Sequence, residues 1–143
     1  MNKKILATVI FLSSCKASQL AATAPAVDLE ACSVPTSTLV NATNTQWDCL
    51  PSNAAIYGQA YLFKATGEAC SAVYDLDGND VSNSCEHKWT RDSCSVITDV
   101  KDDYITTLGD ITPIANGFSV NLNLKNSVED FGTQAYSCTL STF

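Results

Sequence analysis

The stretch Phe118-Ser119-Val120-Asn121-Leu122-Asn123-Leu124-Lys125 alternates apolar and polar residues without a break. This period of two predicts a β-strand with one buried face and one wet face. The dipeptide Asn116-Gly117 just before it is favoured in tight turns, so the pattern predicts a hairpin with residues 104–111. Pro113 would remove a ladder hydrogen bond close to this turn, and we therefore expect a loop longer than two residues.

Similar stretches occur at short intervals along the chain and are separated by Gly, Asn and Asp. No long apolar stripe of period 3.6 accompanies them, which disfavours a helical fold. Strands are expected at residues 59–66, 93–100 and 135–142, in addition to the hairpin above and a second one. The count predicts an all-β fold: a small antiparallel barrel or sandwich of six to seven strands, stapled by disulfides.

The second hairpin is centred on Asp77-Gly78, a preferred pair for a two-residue turn between residues 70–76 and 79–85. The register of such a turn places Cys70 opposite Cys85, Ala72 opposite Asn83 and Tyr74 opposite Val81. Directly opposed residues have Cα atoms roughly 4.5 to 5.5 Å apart, a spacing that a disulfide accepts. The register therefore predicts a Cys70–Cys85 bridge, with bridges from each cysteine to a neighbouring strand as the alternative.

The chain contains seven cysteines, an odd number that leaves one without a partner. Cys15 stands apart near the N-terminus, and the rest form an even set that predicts three disulfides in an exported domain. Six cysteines allow 15 pairings, and the sequence does not choose among all of them. Zinc is disfavoured because there is no Cys-x-x-Cys pair and only one histidine. The six are Cys32, Cys49, Cys70, Cys85, Cys94 and Cys138.

The N-terminus has the form of an export signal. Lys3 and Lys4 precede a short apolar run, residues 5–12, that is too short to cross a bilayer but suits a signal peptide. The sequence Leu12-Ser13-Ser14-Cys15 resembles the lipobox of bacterial lipoproteins, which implies a signal peptide at 1–14, lipidation of Cys15 and, with Lys16 next, an outer-membrane location. The alternative is an ordinary secretory signal, cleaved within residues 17–26, that releases a soluble protein.

Behind this signal we expect two regions. Residues 15–31, rich in Ala and without aromatics, are expected to be the lipid-anchored cysteine and a flexible tether, and residues 32–143 a single β domain. The formal net charge of −7 excludes nucleic acid as a partner, because an acidic surface repels phosphate backbones. A membrane would be reached through the N-terminal lipid.

A second resemblance lies in Thr45-Gln46-Trp47-Asp48-Cys49, followed by Tyr61-Leu62-Phe63, Gly67 and Tyr74-Asp75-Leu76. These residues resemble the opening of small bacterial lipoproteins with a lipocalin-like, calycin-type β domain, in which a strand with a tryptophan precedes an aromatic hairpin. The resemblance implies a barrel that could enclose a ligand. The candidate ligand-binding residues are Trp47, Tyr61, Phe63 and Trp89, and the alternative is that these aromatics fill the core.

Residues with other chemistry give weaker signals. His87 could act as a base with Ser84 or Asp92, but no nucleophile motif surrounds a serine, so we expect a surface histidine between charged neighbours. Residues 75–80 are rich in Asp and Asn but lack the spacing of a calcium loop, and a tight turn explains them. The acidic residues Asp99, Asp102 and Asp103 are expected to lie in a solvated turn.

These observations favour a lipid-anchored protein of the cell envelope, without enzymatic activity, cofactor or metal. Its domain would be a binding or structural module for a small apolar ligand or a protein partner. A secreted enzyme inhibitor is the alternative, presenting a loop around Asp77-Gly78 or between Leu124 and Ala135. A hydrolytic enzyme is the weaker alternative and would require a polar cleft.

Overall fold

The protein folds as a closed barrel of eight antiparallel strands in a computed structural model, which describes residues 26–40, 45–53 and 58–142. Each strand pairs with the next along the chain, and β8 closes the barrel by pairing with β1. The strands are β1 Thr45–Pro51, β2 Gly58–Phe63, β3 Glu68–Tyr74, β4 Asp80–Ser93, β5 Val96–Lys101, β6 Tyr104–Ile114, β7 Gly117–Lys125 and β8 Asp130–Thr142.

The all-β fold is as predicted, but the predicted number of strands was too low. The additional strand is β1, where only the resemblance indicated a strand. The prediction of a strand at 93–100 was also misplaced, because Cys94 and Ser95 form a turn between β4 and β5. In the described part of the chain, no helix is long and apolar enough to cross a membrane.

The alternating stretch that predicted a strand forms β7, and its apolar residues face the barrel interior. Phe118, Val120 and Leu122 are buried, whereas the intervening residues are more exposed. The predicted hairpin with β6 is present, but its loop has two residues rather than more. Pro113 lies within β6, opposite Phe118 and just beyond an irregularity between Gly109 and Thr112, a place where sheets tolerate proline.

The hairpin of β3 and β4 shows a similar shift. Ala72 does lie opposite Asn83, but Asp80 rather than Val81 is opposite Tyr74, and the chain between the strands is longer than a two-residue turn. Asp75 explains the longer loop, because its carboxylate accepts the backbone N–H groups of Asp77 and Asn79 at 3.0 and 2.8 Å. The predicted Cys70–Cys85 disulfide is present despite these irregularities.

Of the two further disulfides, one joins the strands β1 and β8 at the seam, where the barrel closes, and the other ties the N-terminal segment to the barrel. Cys49 and Cys138 are directly opposed on β1 and β8, so their bridge joins the two strands that close the barrel. Cys32 and Cys94 connect the N-terminal segment to the turn between β4 and β5. All six cysteines expected to pair are therefore in disulfides, whereas Cys15 and the rest of the predicted signal peptide lie outside the described residues.

The N-terminal segment covers one end of the barrel. It contains a short 3-10 helix, Leu29–Ala31, within the predicted tether, and one turn of α-helix, α1 Thr36–Leu39. The indole N–H of Trp47 donates to the carbonyl of Leu39 at 3.0 Å, and Arg91 Nη2 donates to the carbonyl of Val34 at 2.9 Å. These contacts hold the segment against the barrel, so this end is closed and the opposite end is open.

Candidate functional site

The interior of the barrel is divided along its axis into two halves. The half next to the N-terminal segment is filled by apolar side chains. The ring centroids of Trp47 and Phe118 lie 4.9 Å apart in an edge-on arrangement, and those of Phe63 and Trp89 lie 5.0 Å apart in a tilted one. The half at the open end contains a cavity of about 230 Å³. We call these the packed half and the cavity.

The cavity is lined by inward-facing residues of six consecutive strands, β2 to β7. Exposure rises from its floor to its rim: Asp99 and Thr106 are buried, Ser84 and Lys101 are half-buried, and Ser82 and Tyr104 are exposed. Most of its lining side chains carry a polar group, but more of the wall surface is apolar than polar, with contributions from Val73, Leu124 and the aromatic rings. The lining residues are Gln59, Tyr61, Ser71, Val73, Ser82, Ser84, His87, Asp99, Lys101, Tyr104, Thr106 and Leu124.

Asp99 and His87 form a contact at the floor of the cavity, and both expectations for these residues were wrong. His87 Nδ1 lies 2.7 Å from Asp99 Oδ2, and the two side chains are only 15% and 2% exposed. His87 faces inward because it precedes the buried Trp89 by two residues on β4, and Asp99 follows the buried Ile97 in the same way on β5. Asp102 and Asp103 do lie in the solvated turn after β5.

The environment of Asp99 is unfavourable to its charge. Burial raises the pKa of the Asp99 carboxyl above its ordinary value, and the charge and hydrogen bond of His87 act in the opposite direction. Its other oxygen, Oδ1, is buried and has no hydrogen-bond partner among the residues that the structure describes. Asp99 lines the floor of the cavity and therefore retains a buried acceptor oxygen that no described residue satisfies.

Tyr61 marks the boundary between the cavity and the packed half. Its ring stacks on that of Phe63, with the ring centroids 5.6 Å apart. Its hydroxyl donates a hydrogen bond to Gln59 Oε1 on the cavity side. Burial raises the pKa of the Tyr61 hydroxyl, and the nearby charge of Asp99 raises it further. The phenol therefore remains a protonated hydrogen-bond donor at neutral pH.

Of the candidate ligand-binding aromatics, the structure places Tyr61 in the cavity wall. Phe63 and Trp89 are buried in the packed half, where the Trp89 indole N–H donates to the carbonyl of Lys64 at 2.8 Å. Trp47 lines a separate groove of about 520 Å³ beside the N-terminal segment, at the closed end of the barrel. Whether these residues bind a ligand stays a prediction.

Two further cavities lie on the outside of the barrel. One of about 320 Å³ lies against the Cys70–Cys85 disulfide, and one of about 720 Å³ lies between β1 and the loop that contains Asp75. The carboxylate of Asp75 serves that loop, and hydrogen bonds from Asn79 hold its pKa below the ordinary value. Within residues 26–40, 45–53 and 58–142, no group of His, Cys, Asp and Glu side chains is arranged to hold a metal ion.

Fold and site together define an eight-stranded, disulfide-linked barrel with a polar cavity at its open end. Comparisons of the chain with known protein families, with curated proteins and with solved structures found no match. The resemblance to lipocalin-like lipoproteins therefore stays a prediction, because a barrel alone does not establish a relationship.

Proposed function

We propose that the protein binds a small ligand in the cavity and has no enzymatic activity. The observation that supports this most is the convergence of polar side chains from five strands, β2 to β6, on one space inside a closed barrel. Binding sites in proteins are concave and contain a few polar groups that fix the orientation of the ligand. The closed ring of paired strands holds this wall in place before a ligand arrives.

The size and lining of the cavity limit the ligand. Its volume of about 230 Å³ lies below the roughly 300 to 1,000 Å³ of pockets for drug-sized molecules. A cavity of this size is too small to enclose a long lipid chain. The wall combines polar side chains with a larger apolar surface, so it favours a small ligand with both a hydrogen-bonding group and an apolar part over the purely apolar ligand expected from the sequence.

Blocking the cavity tests the proposal. Val73 lines the cavity wall, and Val73→Phe would fill part of the space with an apolar ring. Val81, on the neighbouring strand, is 58% exposed, so Val81→Phe is the same chemical change outside the cavity. We expect at least one of three small probes, benzylamine, benzyl alcohol or benzoate, to shift the amide NMR signals of cavity residues in the wild type.

The same probe should bind the Val81→Phe variant but not the Val73→Phe variant. Both variants must keep the dispersed amide spectrum of the folded barrel, which serves as the control for folding. The proposal is contradicted if no probe binds at millimolar concentration, or if Val73→Phe binds the probes as well as the wild type does.

Hydrolysis is the second candidate function, and the His87–Asp99 contact is the observation that favours it. A carboxylate at one imidazole nitrogen can orient a histidine as a base, and Ser84 lines the same cavity. Among the described residues, however, no serine hydroxyl forms a hydrogen bond with His87, which disfavours an activated nucleophile. Hydrolysis of p-nitrophenyl acetate distinguishes the candidates: an enzyme would lose turnover in His87→Gln, whereas we expect both proteins to react equally slowly.

We further propose that this barrel is exported and held at the cell envelope by a lipid on Cys15. The lipobox-like residues 12–15 support the anchor, and three disulfides fit an oxidising compartment. Intact-mass measurement of the protein from its native membrane tests this. We expect a mature chain that starts at a lipid-bearing Cys15, whereas a terminus beyond residue 15 would contradict the anchor and leave the disulfides standing.

A further inference from the structure

Asp99 is the only acidic residue among the described ones that is fully buried, at 1% exposure. Its Oδ2 contacts His87, but its buried Oδ1 has no partner among the described residues. A buried polar atom without a hydrogen bond destabilises the folded protein, and a charged one does so more strongly. The barrel therefore retains a destabilising group that a hydrogen-bond donor inside the cavity would satisfy.

The charged groups around this carboxylate are compatible with a bound cation. Within the described part of the chain, His87 is the only basic group within ion-pair distance of Asp99. The contact of His87 Nδ1 with Oδ2 leaves the second carboxylate oxygen, Oδ1, without a donor. Lys101 lines the cavity two residues further along β5, towards the rim, and forms no ion pair with Asp99.

The open end of the barrel adds a second, independent feature. Three of its connections, those after β3, β5 and β7, carry most of the acidic side chains near the mouth, whereas the basic residues there are Lys101 and Lys125. A rim of one sign raises the local concentration of small ions of the opposite sign and speeds their association. The acidic residues are Asp75, Asp77, Asp80, Asp102, Asp103, Glu129 and Asp130.

We propose that the cavity binds a small organic ammonium ion whose N–H group donates a hydrogen bond to Asp99 Oδ1. This rests on the proposed function and adds the chemical class of the ligand. The hydroxyls of Ser71, Ser84 and Thr106 are further acceptors in the wall, and Val73 and Leu124 contact the apolar part of the ligand. A metal ion fits less well, because hard cations require several carboxylate or carbonyl oxygens.

Matched probes test the charge preference in the unaltered protein. Benzylamine, benzyl alcohol and benzoate share a phenyl ring and differ in the charge of the attached group, which is positive, neutral and negative at pH 7. We expect benzylamine to bind tightest, by about tenfold over benzyl alcohol, because a hydrogen bond to a charged group is worth more than a neutral one. Because this comparison needs no variant, it does not depend on the folding of one.

Asp99→Asn then tests the residue. It keeps the shape and an acceptor for His87 but removes the charge, so we expect benzylamine to bind about tenfold more weakly. Asp102→Asn is the matched control, because it removes the same charge from an exposed turn at the rim. We expect it to weaken binding by about twofold at most and only at low salt, through its contribution to the field of the rim.

The outcomes separate the two proposals. If the probes bind with equal affinity, if benzoate binds tightest, or if Asp99→Asn leaves benzylamine binding unchanged, the ammonium site is wrong. Binding that Val73→Phe still abolishes would then leave the proposed function standing. If no probe binds the wild type, or if Val73→Phe does not weaken binding, both proposals are overturned.

Discussion

Strand β5 shows the contrast between the two halves of the barrel interior. Ile97 lies in the packed half and is fully buried among aromatic side chains, whereas Asp99, two residues later on the same face, lies at the floor of the cavity. The packed half stabilises the fold by removing apolar surface from water, at roughly 25 cal/mol per Å². The cavity contains groups that oppose folding, of which Asp99 is the clearest.

The comparison shows how a small barrel can hold an unfavourable polar site. The disulfide at the seam and the N-terminal segment both stabilise the packed half, where Cys49 and Cys138 are fully buried. The cavity receives little of this support and remains open to solvent at its rim, near Tyr104. Substitutions in the packed half should therefore affect stability most, and substitutions in the cavity should affect binding most.

The largest effect is expected from removing the Cys49–Cys138 bridge with Cys49→Ala and Cys138→Ala together. The bridge spans a separation of 89 residues, and the loop-closure model gives a loss of about 4.6 kcal/mol. Removing Cys70–Cys85, with a separation of 15 residues, should cost about 3 kcal/mol. Urea unfolding followed by tryptophan fluorescence measures both, and a greater loss from the shorter loop would contradict the assignment of stability to the seam.

Substitution of matched apolar residues compares the two halves directly. Phe63→Ala removes a ring from the packed half, where the side chain is 2% exposed, and should lower the free energy of unfolding by about 3 to 5 kcal/mol. Val73→Ala, in the cavity wall, leaves no new enclosed space and should cost about 1 kcal/mol or less. Thermal and urea unfolding check the pair, and equal losses would show that the cavity half is packed as well.

Gly117 tests how tightly the end of the packed half is closed. A Cβ at this position would lie 1.9 Å from the carbonyl oxygen of Cys138, so the backbone must shift to accept Gly117→Ala. We expect a loss of about 1 to 3 kcal/mol, as for other overpacked sites. At Gly109 the nearest atom would be 3.7 Å away, and Gly109→Ala should stay within about 0.5 kcal/mol of the wild type.

Much of this fold is predictable because its signals can be read directly from the sequence. The alternation of apolar and polar residues predicts β7, and the number of cysteines predicts three disulfides. The Cys70–Cys85 bridge was also predictable, because Asp77-Gly78 indicates a turn midway between the two cysteines, although the loop is longer than a two-residue turn. The contact between Gly117 and Cys138 was not predictable, because it depends on the pairing of β7 with β8. For the same reason, the strand count was low: β1 is defined by partners on both sides, at distant positions of the chain.

The site was harder to predict than the fold, although a signal was present. The spacing of His87 and Trp89, and of Ile97 and Asp99, places each polar residue on the face of its apolar neighbour. This rule, applied to the sequence, predicts that both side chains face the interior of the barrel. Their contact, however, requires the register of β4 with β5, in which Trp89 lies opposite Asp99, and that register follows from tertiary pairing rather than from either strand alone.

The remaining expected effect comes from the cavity and has the opposite sign. Burial raises the pKa of Asp99 in the folded state, so the folded protein binds this proton more tightly than the unfolded chain, where the pKa is about 3.9. The free energy of unfolding therefore falls as the pH rises from about 4 through the raised pKa. Asp99→Asn removes this loss and should be more stable than the wild type at pH 7, but not at pH 4.

Urea unfolding of both proteins at pH 4 and pH 7 measures this difference, and Asp102→Asn, in the exposed turn, should match the wild type at both values. A variant that is less stable at pH 7 would mean that the carboxylate stabilises the fold through His87 and has a structural role. A variant that is more stable, yet binds benzylamine weakly, would show that Asp99 is kept for binding at the expense of stability. Stability and binding would then depend on opposite halves of one barrel.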